Sequence, residues 1–190
     1  MSDVTISSGG IRSVKARVRR EGQLETFSVA VNEFENVSAR SRLAFTWTIV
    51  PANFGNAETL LLVQNDNSSL TLHIEETTFQ SDAATAVQVH LTDRAVLTPT
   101  GGTLVTGVCL NQTAPRVAEA LARSNETGNA QGNVVWNFPI PANDIVLLEW
   151  HGAIILAKGQ AVAIDVTTGP SSLASCSIAG FYAIPDEERT

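Results

Sequence analysis

The sequence predicts an all-β fold, a β-sandwich or jelly roll. Three observations predict it. Apolar residues alternate with polar ones along most of the chain, Gly- and Asn-rich turns separate these runs at roughly ten-residue spacing, and a single short stretch has helical spacing. At 190 residues, 44% of them apolar, the chain suits one domain with a sizeable core and is too apolar to stay disordered.

Taken in order, the chain begins with a basic segment. Residues 1–21 hold Arg12, Lys15, Arg17, Arg19 and Arg20 against Asp3 and Glu21, a balance of +3, while the remainder carries −10. Ser7-Ser8-Gly9-Gly10 and Gly22 are flexible by composition. Residues 1–23 therefore read as an extended arm, 24–184 as the sandwich domain and 185–190 as a short acidic tail. In an extended arm Lys15, Arg17 and Arg19 fall on one side, and Val14, Ala16 and Val18 on the other. Such a ribbon suits docking along an acidic protein surface by strand addition, or service as an edge strand whose charges discourage aggregation. An acidic body argues against a phosphate backbone as its partner.

Within the body, Leu43, Phe45, Trp47 and Ile49 fall on one face of a strand that ends at Pro51. Thr59–Val63 is apolar throughout, as in a central strand, and Asn65-Asp66-Asn67-Ser68 has the chemistry of a hairpin turn. Leu70, Leu72 and Ile74 alternate with polar residues, as do Val87, Val89 and Leu91. Thr113–Arg123 carries a Thr cap, an early Pro and several alanines, which predicts a helix over about 113–123. Further strands are expected over 133–138, 145–150, 153–156, 161–166 and 175–182. Ala157-Lys158-Gly159-Gln160 reads as a hairpin turn between two of them.

The motifs of common catalytic and cofactor sites do not occur. Neither Gly-Gly pair has the spacing of a dinucleotide turn or a phosphate loop, and there is no Gly-x-Ser-x-Gly elbow. By alternation His73 and His90 fall on polar faces, as exposed side chains or, were their strands paired, as two facing imidazoles able to share a metal. His151 reads as a turn residue. Glu75 and Glu76, adjacent on a strand, are expected on opposite faces, apart from each other. Cys109 and Cys176 have the apolar neighbours of buried thiols. Trp136 and Trp150 lie in apolar or alternating runs and read as core residues. No catalytic residue, metal or cofactor is expected, and no run of residues is long and apolar enough to span a membrane. Met1–Thr5 lacks the pattern of a secretory signal.

Charge content points further. A soluble domain averages about 25% charged residues; here the share is 16%, with only two lysines, Lys15 and Lys158. Charge is depleted in interface cores, so an oligomer is expected. The order of Leu61–Asp66, Leu70–Glu75, Thr100–Thr103, Val108–Asn111, an Ala-rich segment and the closing pair Gly152–Leu156 and Ala161–Val166 is similar to that of small jelly-roll virion proteins, the head decoration or cement proteins of tailed bacteriophages. The resemblance spans roughly residues 58–183 and is one of layout. It implies a homotrimer on the capsid exterior, made in the host bacterial cytoplasm, that clasps the major capsid protein and stabilises its lattice. The arm would supply electrostatic docking through Arg12, Lys15, Arg17, Arg19 and Arg20. A receptor- or glycan-binding tip of a tail fibre shares the same layout and is the alternative.

Overall fold

The computed structural model describes residues 3–7, 13–18, 24–28, 34, 37, 43–54, 58–92, 102–113, 115–126, 132–168 and 172–184. Near the N-terminus β1 (Asp3–Ser7), β2 (Ser13–Val18) and β3 (Leu24–Ser28) form a three-stranded antiparallel sheet with β2 in the middle. Eleven further strands build the sandwich. They are β4 (Ala44–Phe54), β5 (Glu58–Asn65), β6 (Thr71–Ser81), β7 (Thr85–Thr92), β8 (Thr103–Val105) and β9 (Val108–Cys109). Then come β10 (Ala120–Glu126), β11 (Asn133–Ile140), β12 (Ile145–Leu156), β13 (Ala161–Thr168) and β14 (Ser172–Ala183).

One sheet has the order β11-β7-β13-β5-β10-β8, the other β12-β6-β14-β4-β9, and every recorded pairing is antiparallel. With β8, β9 and β10 set aside, the eight remaining strands, numbered along the chain, run 1-8-3-6 in one sheet and 2-7-4-5 in the other. That is jelly-roll connectivity. The expected all-β sandwich is what the chain forms, widened by β10 and β8 at one end of the larger sheet and by β9 at the same end of the smaller.

The core lies between the sheets. Phe45, Trp47 and Ile49 of β4 meet Leu61 and Val63 of β5, and Leu72 and Ile74 of β6 meet Val87 and Val89 of β7; all are buried. Every described side chain of β5 from Thr59 to Asn65 is buried, because β13 and β10 flank it and both faces of the sheet are covered there. Leu60 is the extra residue of a bulge, since Ile164 pairs with Leu61 and Asp165 with Thr59. This is how consecutive leucines, 60 and 61, enter the same core.

Four expectations are corrected. First, no helix spans 113–123. Residues 115–119 have no regular structure, and Ala120–Glu126 is β10, paired on one side with β5 and on the other with β8. Local alanine propensity is worth a few tenths of a kcal/mol per residue. Two ladders and the burial of Ala122 outweigh it. Second, β4 does not stop at Pro51 but runs to Phe54. Ile49 pairs with Cys176 and Ala52 with Ala174, so Val50 and Pro51 share one bulge opposite Ser175, a place where a missing N–H costs no ladder bond.

Third, residues 145–150 and 153–156 form one strand, β12, interrupted where Trp150–Ala153 bulge out opposite Glu75. His151 and Gly152 take left-handed backbone there, at φ 50° and 73°. Fourth, neither expected hairpin turn is one. Asn65–Ser68 links β5 to β6, and Ala157–Gln160 links β12 to β13; each crosses from one sheet to the other. The two turns are tied together at Asn65. Its Nδ2 donates to the carbonyls of Leu70 and Leu156, and its Oδ1 accepts from the Asn67 amide, each at 2.9 Å. Its backbone exchanges bonds with Gly159 and Gln160.

Candidate functional site

The basic arm comes first. Lys15 and Arg17 lie on β2, where Arg17 is in register with Asp3 on one side and Glu25 on the other, and Lys15 with Thr5 and Phe27. β2 is the middle strand, so both of its hydrogen-bonding edges are occupied, and strand addition to another sheet would fall to β1 or β3. Leu24–Ser28, placed by sequence at the start of the body, pairs with β2. Arg12, Arg19 and Arg20 lie outside the described residues, as does the acidic tail over 185–190.

The histidines do not meet as a pair. His73 is on β6 and His90 on β7, strands of different sheets, so the two imidazoles do not face each other across a ladder. His73 stacks on Phe181 at 5.0 Å between ring centroids and hydrogen-bonds through Nε2 with the Thr71 hydroxyl at 3.0 Å. His151 is exposed on the β12 bulge, with Nδ1 3.7 Å from Oε1 of buried Glu75. Among the described residues, no group of three or more His, Cys, Asp or Glu side chains is placed to hold a metal. Cys109 and Cys176 are both buried, and no disulfide joins them.

His90 is not exposed, as its alternation suggested; it is 1% exposed. The polar face of β7 is covered, and His90 lies in a buried polar cluster that the sequence pattern alone did not reveal. Its Nε2 is 3.1 Å from Asp165 Oδ2 on β13 and 3.1 Å from Gln88 Oε1, while Nδ1 is 3.4 Å from the carbonyl of Gly132. Burial pushes the Asp165 carboxyl above the usual range, and a Thr59 hydrogen bond and the charge of His90 draw it partly back. On β10, on the far side of β5, Arg123 reaches buried Glu126, Nε to Oε1 at 3.6 Å, and donates from a terminal guanidinium nitrogen to the Gly102 carbonyl at 3.1 Å. Burial makes this cluster a structural element, able to fix the pairing of β7, β13 and β5.

The surface features that stand out are the two ends of the sandwich. At one end β11 and β12 are the outermost strands of their sheets. Val134, Trp136, Ile145, Leu147 and Ile155 are exposed there, with Ile145 at 64%. Trp136 meets Trp150 and Phe138 edge to face at 6.1 and 6.3 Å. Trp150 is half-buried and donates through Nε1 to Thr77 at 3.2 Å. Trp150 thus packs as expected, whereas Trp136, at 46% exposure, is a surface residue.

At the other end β8 and β9 are outermost, with Leu104, Val108 and Leu110 exposed, and Val117 at 84% exposure lies in the segment leading to β10. Residues 102–113 and 132–143 contain no Asp, Glu, Lys or Arg. No Lys or Arg occurs anywhere from 124 to 157. Sheet edges are ordinarily guarded by lysines, prolines or bulges; here β11 carries Pro139 and a bulge at Val135, and β12 the bulge at Trp150–Ala153, with no lysine on either. Low overall charge was the signal of this in the sequence; the location of the uncharged surface needed the strand order. No family model, no curated protein and no solved structure matches the chain.

Proposed function

We propose that the chain is a structural, non-enzymatic virion protein, a decoration or cement protein that binds as a homotrimer to the outside of a tailed-phage head and stabilises the lattice of the major capsid protein. The observation that carries the reading is the set of exposed apolar side chains on the charge-poor outer strands of a jelly-roll sandwich. Monomeric proteins rarely expose large contiguous apolar patches, and interface cores are depleted of charge. Jelly rolls host many functions, so the fold by itself adds only compatibility.

In this reading, binding to the assembled shell and not to free subunits pulls the equilibrium toward the shell. Each site occupied at 100 times its Kd contributes about 2.7 kcal/mol. The basic residues of the arm, Arg12, Lys15, Arg17, Arg19 and Arg20, would dock on an acidic shell surface and make binding sensitive to salt. The test is co-sedimentation with assembled shells and with free capsid subunits. Pelleting with shells alone is expected; no association with shells refutes the reading. A deletion that tests the arm should end at residue 28. A cut after Arg20 would leave β3 without its partner β2.

The exposed Trp136 beside Trp150 supports a second reading, a glycan- or receptor-binding tip of a tail fibre, because exposed indoles stack on sugars. A glycan array probed with the intact protein would show binding lost in Trp136→Ala under this reading. A blank array rejects it.

A further inference from the structure

We infer that the Arg116–Val117 peptide bond is a proteolytic processing site, cut by an endoprotease of trypsin-like specificity, and that the cut leaves one folded particle of two interleaved chains. The segment that bears this bond carries the chain from β9 in the smaller sheet to β10 in the larger. Pro115, Arg116, Val117 and Glu119 are exposed, Val117 at 84%, and residues 115–119 have no regular structure. Among the described residues, none of 115–118 makes a hydrogen bond. The anchors lie to either side. Thr113 donates from its amide and its hydroxyl to Asn111 Oδ1 at 3.1 and 2.6 Å, and Glu119 accepts from the Asp66 amide at 3.2 Å and from Asn67 Nδ2 at 2.8 Å. A stretch held at its ends and free between them is where proteases nick folded proteins.

The residue types set the specificity. Pro115 fixes its own φ and disfavours helical backbone in the residue before it, which suits the extended shape a protease cleft accepts. The Arg116 guanidinium is what an S1 pocket with an aspartate at its base selects. Water adds across the bond, so Arg116 ends in a carboxylate, Val117 leaves as an amine, and no further reactant is required. The other basic residues of the described chain are protected. Lys158 is exposed, but it leads into buried Gly159, whose amide donates to the Asn65 carbonyl at 2.7 Å and whose carbonyl accepts from Gln64 Nε2 at 2.9 Å. Arg123 lies on β10 between β5 and β8, and Lys15 and Arg17 lie on β2 between β1 and β3. A protease would have to strip ladders on both sides to reach any of these three.

The position of the bond decides what the cut does. β10 to β14 fall in the second piece, and each pairs only with strands of the first. β10 pairs with β5 and β8, β11 with β7, β12 with β6, β13 with β5 and β7, and β14 with β4 and β6. No ladder joins two strands of the second piece. The cut therefore separates two sets of strands that alternate across both sheets, and the second piece cannot leave without breaking every ladder that holds it.

The test treats the full chain with trypsin in native buffer and reads intact masses, with a chromogenic peptide substrate to normalise protease activity. A fragment beginning at Val117 is expected, and it should co-elute with the rest of the chain on native size exclusion. Arg116→Gln should abolish that fragment and leave thermal unfolding unchanged. A cut in a loop needs no global unfolding, so its rate should change less than about two-fold on adding about 1 M urea, whereas a cut through the unfolded state would speed up at least about five-fold. A first cut in the sandwich after Lys158 or Arg123 overturns the inference. So does the urea acceleration, and so does separation of the two pieces on native size exclusion. Sequencing of the protein from its natural source should find Val117 as a second N-terminus, and its absence there overturns the processing role. None of these outcomes bears on shell binding, which co-sedimentation reads separately.

Discussion

His90→Ala isolates the energetics of the buried polar cluster. In the folded protein Asp165 is 2% exposed, and the His90 imidazole faces its Oδ2 at 3.1 Å. Removing one partner of a buried pair costs about 3–5 kcal/mol, most of it from the charge left behind. For a chain of this size each kcal/mol lowers Tm by roughly 2–4 °C, so a fall of about 6–20 °C is expected at pH 7. Burial already raises the Asp165 carboxyl, and His90 is one of the two groups that pull it down. Without His90 the folded-state pKa rises further above the ordinary 3.8.

The sign of the pH dependence follows. Between the ordinary value and the raised one, the folded protein holds a proton that the unfolded chain has released, so stability falls as pH rises through that interval. The deficit of the variant relative to wild type is therefore largest near neutrality and shrinks on acidification toward pH 5. The assay is thermal or urea unfolding at both pH values. Adding Asp165→Asn to the variant should recover at least about 1 kcal/mol, as coupled neighbours do. A deficit equal at both pH values, with no recovery in the double variant, would mean that the cost is only the cavity, and the charge argument would fail.

Three further outcomes are expected. Asn65→Asp replaces an amide that donates to two carbonyls with an oxygen that repels them, and should cost at least about 3 kcal/mol in urea unfolding. Gly180→Ala places a Cβ 2.5 Å from the His73 carbonyl oxygen on the adjoining strand β6. Strand separation is needed to relieve that contact, and a loss of about 1–3 kcal/mol should appear as a lower denaturation midpoint. Cys176 is fully enclosed and burial pushes its thiol well up, so a thiol reagent should label it only as fast as the protein unfolds.

Strands whose pattern was decided locally were legible in the sequence. Phe45, Trp47 and Ile49 share a face because period two is built into an extended backbone, and Leu60–Val63 read as central because no exposed position interrupts it. What could not be read depended on distant segments. Ala120–Arg123 is helical by propensity and becomes a strand because β5 and β8 lie on either side of it. Pro51 is tolerated because β14 supplies a bulge site more than a hundred residues away. His90 alternates as a surface residue would, yet the face it occupies is covered, and Asp165 comes from a strand that nothing near His90 announces. The apolar ends were visible only as a shortage of charge, since their position depends on which strands finish each sheet.

The strand order also governs when this protein can fold. β14 lies between β6 and β4, and β13 between β7 and β5, so the middle of each sheet comes from the last two strands of the described sandwich. Ala44 pairs with Phe181, and at bacterial or eukaryotic translation speeds the interval between them is on the order of ten seconds. Until β13 and β14 emerge from the ribosome, β4 to β7 have no ladder among themselves. The two sheets therefore cannot close until β13 and β14 have been made, and the earlier strands stay in separate groups until then. A copy that stops before Ser172 keeps β12-β6 and β4-β9 as separate pairs with a gap where β14 belongs. Premature termination before β14 thus yields chains with an open sheet, exposed to proteolysis.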